Sequence, residues 1–397
     1  MGKKVLISGA GVAGATAAYW LARAGCEVTV VERASGVRSS GSPVDVKGPA
    51  VDVVEKMGVM ARLREVDSPT DRMTFVDANG RRLAGIPLRA FAGAAGTREV
   101  EVARADLAAI LVDAGRDTVE YRWGDTITDL VHDDAGVDVT FAAAPRSRFD
   151  AVIGADGLHS TVRHLTFGPE GSFIRHTGMY VATMPIDEPT GDDTEVLIYN
   201  TPGRAVAVHP NRGHAIAAFI FRRAEVPGYD YRDLDQHKRV LAEAFPDTGW
   251  LLPNLLDRLR HTDDLYFDSI SRMRLPRWSE GRVGLVGDAA AAVSLFGDGS
   301  TLAIAGGYRL AEELSGSPSQ VAAALRRYET RHRPLVRSKQ QAFRVARALL
   351  LPATRPGIAL RNAVARVTPV LAGLTSEGGR RARGSAAGTG RAADRMG

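Results

Sequence analysis

The sequence predicts an α/β fold in which a doubly wound, parallel-sheet domain interleaves with an antiparallel-sheet domain and ends in C-terminal helices. Three observations predict it. A strand, a glycine-rich turn, a helix and a second strand open the chain between Lys3 and Glu32. The same strand–loop–helix character returns near Val283–Leu314, far along the chain. Between them, from Phe173 to Phe221, apolar residues alternate with a period of two and turn signals separate the segments, as in an antiparallel sheet.

Lys3–Ser8 is an apolar strand, followed by Gly9-Ala10-Gly11-Val12-Ala13-Gly14 and an alanine-rich helix over Ala15–Ala24. Gly25 ends that helix, and Glu27–Val31 forms the next strand, closing a βαβ unit at Glu32. Pro49–Met57 reads as helix. Met73–Asp77 and Arg81–Ile86 flank Asn79-Gly80, a hairpin signal. Arg104–Ala114 has helical spacing, while Asp138–Phe141 and Ala151–Gly154 read as strands. The alternating segments are Gly178–Pro185, Glu195–Asn200, Ala205–His209 and Ala215–Phe221, the last three separated by Thr201-Pro202-Gly203 and Asn211-Arg212-Gly213. Val283–Val286 is a strand leading through Asp288 and a glycine-rich loop to a helix near Thr301–Leu314. Helices follow Gln320, and the low-complexity Ser376–Gly397 is expected to be disordered. No internal repeat is visible. The expected division is 1–70, 97–170 and 278–335 for the first domain, 71–96 and 171–277 for the second, 336–373 for the C-terminal helices and 374–397 for a tail.

Composition narrows the function classes. The chain has 397 residues, 45% of them hydrophobic, enough for more than one core. Its net charge of +5 divides unevenly. Residues 326–397 carry 16 Lys/Arg against 3 Asp/Glu, leaving 35 against 43 in residues 1–325. A solvated helix face and a tail account for this basic end, and no nucleic-acid motif accompanies it. The single cysteine, Cys26, fits a reducing compartment and reads as a small buried hydrophobe. Lys3 and Lys4 run directly into the first strand rather than a leader, and no run of 18 apolar residues occurs, so the expectation is a cytoplasmic protein with no transmembrane segment. The nine histidines are scattered and no Cys-x-x-Cys exists, so no metal site is expected. No Gly-x-Ser-x-Gly elbow occurs.

The glycine turn carries the chemistry. Gly9 permits the sharp turn, Gly11 lets backbone N–H groups approach a pyrophosphate, and Gly14 lets helix and strand pack closely. The helix N-terminus at Val12 and Ala13 bears about half a positive charge, suited to a diphosphate. Glu32, at the end of the second strand, is placed to accept hydrogen bonds from an adenosine ribose. The turn alone fits FAD or NAD equally.

Three further segments, Gly154-Ala155-Asp156-Gly157-Leu158-His159-Ser160-Thr161-Val162-Arg163, Arg282-Val283-Gly284-Leu285-Val286-Gly287-Asp288-Ala289 and Arg104-Ala105-Asp106-Leu107-Ala108-Ala109-Ile110-Leu111, extend the pattern. With the glycine turn they resemble, in order over about residues 3–335, the FAD-dependent aromatic hydroxylases, the group that includes para-hydroxybenzoate hydroxylase and tetracycline-inactivating monooxygenases. The resemblance implies a Rossmann-like FAD-binding domain with non-covalent FAD. It places Glu32 on the adenosine ribose, Arg33 and Arg104 along the cofactor, and Asp288, after Gly287, on the ribityl chain. It puts Asp156 and Gly157 near the pyrophosphate, where the family also handles reduced nicotinamide. The loop Leu295-Phe296-Gly297-Asp298-Gly299-Ser300-Thr301 would set a helix N-terminus against the flavin's pyrimidine edge, which is anionic when reduced. There Asp298 would either oppose the reduced flavin by about 1 kcal/mol or more, or face solvent or cap the helix. The chain departs from the family pattern at Ala291, where His is common, at Leu295, where Pro is common, and at Asp298, within a Gly-Gln-Gly in the family.

On the substrate side, Tyr199, His209, Phe219 and Phe221 either line an apolar cavity over the flavin or belong to plain core, with His209 a structural histidine rather than a base. A second glycine fingerprint is absent, which argues against tandem dinucleotide domains, and no Trp-x-Trp-x-Ile-Pro segment suggests a halogenase. The resemblance implies a monooxygenase in which NAD(P)H, bound transiently, reduces FAD. O2 then forms a C4a-hydroperoxide that hydroxylates or epoxidises a bulky aromatic or polyketide-like molecule, in a monomer or homodimer. The alternatives are a flavin dehydrogenase or oxidative cyclase on the same fold, and a non-enzymatic FAD-binding partner protein. Catalytic side chains are not identified by the sequence.

Overall fold

Apolar runs too short to be helices assemble side by side into the sheet that organises the first half of the molecule. The computed structural model describes residues 2–37, 42–68, 70–88, 98–186, 192–211, 214–246, 249–292, 298–316 and 320–366. Lys4–Ser8 lies at the middle of a six-stranded sheet, with Glu27–Glu32 and Glu120–Trp123 on one side. Ala151–Gly154, Val283–Leu285 and Ser279–Glu280 lie on the other, and only the last runs antiparallel. Val5, Leu6, Ile7, Val152 and Ile153 are fully buried, in one core with helix residues such as Ala15 and Leu21 and strand residues such as Val137, Val139 and Phe149, which is why these strands read as continuous apolar runs. The helix Val12–Arg23 and the helix Asp298–Leu314 pack together there. Gly307 permits the approach, since a Cβ on it would sit 2.8 Å from the Ala13 carbonyl oxygen.

The second large sheet has seven strands, in the order Tyr266–Met273, Ile174–Ile186, His214–Arg222, Arg204–Asn211, Glu195–Thr201, Arg72–Val76, Arg82–Pro87. The hairpin at Gly80 (φ +78°) forms as the sequence suggests. The sheet is not purely antiparallel, because Glu195–Thr201 pairs in parallel with Arg72–Val76. Elements without a local signal complete the fold. These are the ribbon of Pro43–Val46 against Val100–Ala103, the strands Ile127–His132 and Ser147–Phe149 that flank the expected strand at Val137–Phe141, and the helices Leu234–Ala244 and Leu252–His261.

A 30-residue helix, Val321–Leu350, then crosses back over the molecule, and residues 355–366 are helical. The basic end is largely a solvated face, with Arg326, Arg327, Arg331, Arg337, Arg355 and Arg366 exposed, but some of its charges are paired and one is buried. Arg327 and Arg331 reach Glu313 at 2.7 and 2.8 Å, and Arg333 pairs with Glu329. Arg361 is buried, donates to Asn200 Oδ1 at 2.9 Å and lies 3.4 Å from the Phe75 ring centre. Residues 374–397 lie outside the described part. Among the described residues no helix is long and apolar enough to cross a membrane, and no cluster of His, Cys, Asp and Glu could hold a metal.

Candidate active site

The first glycine turn is held tightly on two sides and left open on the third. Gly9 has φ +104°, and a Cβ there would lie 2.6 Å from the Ala155 carbonyl oxygen. A Cβ on Gly14 would lie 2.0 Å from the Gly9 carbonyl oxygen. At Gly11 a Cβ would meet no heavy atom within 4 Å, and no side chain caps the helix that begins at Val12. That combination, a backbone fixed from behind with bare helix N–H groups in front, fits a diphosphate. Glu32 is oriented by the amides of Ala10 (3.0 Å) and Ala34 (2.9 Å), one on each carboxylate oxygen. Each oxygen keeps acceptor capacity for ribose hydroxyls. Arg33 is exposed, its guanidinium 6.0 Å from the Tyr231 ring centre.

The segment after Ala151–Gly154 places its two named residues differently. Asp156 turns inward, accepting from Ser160 Oγ at 2.5 Å, the Val162 amide at 3.1 Å and Ser8 Oγ at 3.3 Å. Burial raises its carboxyl pKa, with the Ser160 hydrogen bond opposing. Asp156 therefore staples the loop to the first strand and to the next helix. The open point is Gly157, with φ +82° and nothing within 4 Å of a Cβ. Arg163, to which the sequence attached no role, is fully buried and donates to the Leu158 carbonyl (2.5 Å), to Glu170 (2.9 Å) and to the Ala289 carbonyl (3.2 Å). It ties this loop to the Gly287–Asp288 turn. His159 sits between Glu170 (2.9 Å) and Asp268 (3.4 Å). Burial alone would lower its pKa, but the two carboxylates win and raise it to about 9.

Gly287, with φ +64°, brings the turn against the first helix, a Cβ there being 2.8 Å from that of Ala13. Asp288 begins a short helix, Asp288–Ala291, and its carboxylate lies 3.9 Å from Arg104. Leu295 and Gly297 lie outside the described residues. Asp298 opens the next helix, with Gly299, Ser300 and Thr301 in its first turn. Its charge is not isolated, since Lys339 lies 3.0 Å and Lys47 3.5 Å away. The carboxylate is thus paired rather than solvent-facing. Ser300 Oγ and Thr301 Oγ1 donate to the Asp45 carbonyl at 2.6 and 3.2 Å, so the helix start is fastened to the ribbon strand Pro43–Val46.

The pocket candidates divide between the two faces of the seven-stranded sheet. Phe219 and Phe221 are 0% and 1% exposed, packed with Tyr180, Phe245 and Phe267 beneath Leu234–Ala244 and Leu252–His261. Tyr199 shares that face and packs against Trp250, ring centres 6.3 Å apart. These three are core. The helices they support had no local signal, so the alternation was legible but the face was not. On the opposite face stand Val181, Ala207, His209, Ala218 and Ile220, all partly exposed, with Thr183. Thr183 lies 3.1 Å from Ser42, and His209 Nε2 lies 3.0 Å from Glu101, so this face looks onto the ribbon of the first half. Tyr266 and Asp268, cross-strand partners of Thr183 and Val181, lie near Arg104 and Asp288.

A glycine cradle, an amide-oriented Glu32 with open acceptor capacity and an Arg104–Asp288 pair, on this fold, have the character of a flavoprotein oxidoreductase. The chain belongs to the family described as FAD binding domain, whose model matches residues 3–342. It is 33% identical to a flavin-dependent monooxygenase of Legionella longbeachae over 341 residues, 85% of this chain and 87% of that protein. It is 39% identical over 327 residues to an uncharacterized protein of Mycobacterium tuberculosis, covering 79% of this chain and 86% of the other. The crystal structure of tetracycline destructase Tet(55) superposes with TM-score 0.78 at 30% identity, over 92% of this chain and 95% of that one. The protein is thus an FAD-dependent oxidoreductase of the flavin-dependent monooxygenase family, the group that the ordered motifs resemble.

Proposed function

We propose that this chain is an NAD(P)H-driven monooxygenase that hydroxylates or epoxidises a bulky aromatic or polyketide-like molecule. The observation that carries the reading is the row of small residues Thr183, Ala218 and Ala207, whose neighbour Tyr266 lies near Arg104 and Asp288. Such a face leaves room for a broad planar ligand beside a planar cofactor. The relative named a flavin-dependent monooxygenase supports the reaction type, and the tetracycline destructase supports the polyketide-like substrate class.

In this reading the Gly11 and Gly157 backbones hold the pyrophosphate, Glu32 the adenosine ribose, and Asp288 with Arg104 the ribityl side. Val12 and Ala13 would give N–H groups to the diphosphate, and the helix start Asp298–Thr301 would give them to the flavin edge. Bound FAD would supply the redox chemistry of a monooxygenase, with NAD(P)H as electron donor, one atom of O2 going to the substrate and the other to water. The protein's own part is to orient the ligand and exclude water. The one cysteine, Cys26, is consistent with a cytoplasmic location.

Anaerobic mixing of the holoprotein with NADH or NADPH, with and without aromatic and polyketide-like compounds, tests the reading. Bleaching of the flavin absorbance, accelerated by one class of compound, is expected. A flavin that neither nucleotide reduces under any of these conditions would overturn NAD(P)H as donor and favour the oxidative-cyclase or partner-protein alternatives.

A further inference from the structure

His209 is the one pocket candidate on the ligand-side face, and both of its ring nitrogens meet acceptors. Nδ1 lies 3.0 Å from the Pro210 carbonyl oxygen, and Nε2 lies 3.0 Å from Glu101 Oε1. A neutral imidazole can donate from only one nitrogen, so satisfying both contacts requires the imidazolium. Thr70 Oγ1, 3.4 Å from Nε2, can act as either donor or acceptor and does not change this. Glu101 is otherwise oriented by the Thr70 amide at 2.9 Å.

The surroundings extend the pair. Glu101 and Asp45 are cross-strand partners in the ribbon, which sets two carboxylates side by side. Asp45 pairs with Lys47 at 2.8 Å, Lys47 with Asp298 at 3.5 Å, and Asp298 with Lys339 at 3.0 Å. The network therefore holds three acids, Asp45, Glu101 and Asp298, and three bases, Lys47, Lys339 and His209. It is neutral only with His209 protonated. Glu101 raises the His209 pKa and Asp45 adds to it, against desolvation, so the titration preference agrees with the geometry. The groups facing His209 are Glu101 and Asp45 from the ribbon, Thr70 from the segment before Arg72–Val76, and Pro210 from its own strand.

We infer that His209 is a constitutively charged positioning residue that, through Glu101, Asp45 and Lys47, fixes the charge and placement of the helix start at Asp298–Thr301. The inference rests on the reading that this helix start faces the flavin. Removal of the proton leaves Glu101 uncompensated beside Asp45, and the whole network becomes negative next to a cofactor that gains negative charge on reduction.

Two measurements on the full-length holoprotein test this. Nitrogen-15 NMR of histidine-labelled protein at pH 8 should show one ring, absent from the spectrum of His209→Gln, with both nitrogens protonated. A neutral ring at that position overturns the inference, and because this arm needs no flavin it separates that failure from failure of the functional reading. Equilibration with redox dyes then compares His209→Gln with the double variant Glu101→Gln/His209→Gln. The single variant should lower the ratio of reduced to oxidised FAD at fixed potential by about fivefold, as expected for one uncompensated charge at a distance in partly screened surroundings. The double variant, neutral again, should return to within about twofold of wild type. Equal behaviour of the two variants, shifted or unshifted, would overturn a role through charge.

Discussion

The two faces of the seven-stranded sheet are built from the same alternating strands and do opposite work. One carries Tyr180, Phe219, Phe221 and Phe267 and is sealed by two amphipathic helices. The other carries Val181, Thr183, Ala207, Ala218 and Ile220, with His209 the main ionisable group at its ribbon end. Part of this second face is covered by Leu350, Leu351 and Ala365 from the C-terminal helices, and the remainder looks toward the ribbon and the Arg104–Asp288 side. The difference teaches that bulk marks where a helix must dock, because large rings bury most apolar area. On the second face large residues such as Phe75, Met179 and Ile198 likewise lie in one cluster with Leu350 and Leu351 of the C-terminal part, and the small row Thr183, Ala218 and Ala207 is where the proposed reading puts the ligand.

The largest expected effect breaks the comparison if it fails. Phe221→Ala should cost about 3–5 kcal/mol in urea unfolding, the range for deleting a buried aromatic. A loss below about 1 kcal/mol would mean that Phe221 is not core. Its counterpart, Ala218→Leu on the other face, should leave the urea midpoint and FAD content nearly unchanged while raising the KM for substrate several-fold. Equal KM values would move the ligand off this face.

The glycine cradle sharpens the same contrast between packing and ligand space. Gly14→Ala drives a Cβ into the Gly9 carbonyl, so both the apoprotein's thermal midpoint and its FAD content should fall. Gly11→Ala meets open space, so the apoprotein should melt as wild type does while FAD binds at least about tenfold more weakly, since a methyl group stands where the phosphates approach. Isothermal titration of apoprotein with FAD reads both.

The smallest expected effect concerns pH. His159 pairs with Asp268, which belongs to the ligand-side face through its partner Val181. Its folded pKa, raised to about 9, lies above the unfolded value of about 6.5. Between these values the folded state holds the extra proton, so its stabilisation is complete below pH of about 6.5 and is lost as pH rises through about 9. Unfolding free energy should therefore decline over that window, and His159→Asn should flatten the decline. An unchanged slope in the variant would assign the titration to another group.

Legibility in the sequence followed locality. The cradle was readable because Gly9, Gly11, Gly14 and Glu32 lie within one βαβ unit, where backbone geometry alone dictates residue type. The strands of the second sheet were readable from their alternation, but its face was not, since that depends on Leu234–Ala244 and Leu252–His261 folding back across it. The ion pairs of Asp298 were not legible because Lys47 and Lys339 are brought to it from far along the chain on either side. Arg163 lay within a recognised motif, yet its partners Glu170 and Ala289 are joined to it only in three dimensions. The ribbon Pro43–Val46 with Val100–Ala103, four residues on each strand, offered too short a pattern to register.

The central claim is that the cofactor held by this cradle delivers oxygen to a molecule lying on the small-residue face. Turnover of a compound that accelerates flavin reduction, carried out under ¹⁸O2 with NAD(P)H, tests it most directly by the mass of the product. Monooxygenation gives a product heavier by one atom of ¹⁸O. A product that has lost two hydrogens and gained no label would contradict it and identify a dehydrogenase on the same fold.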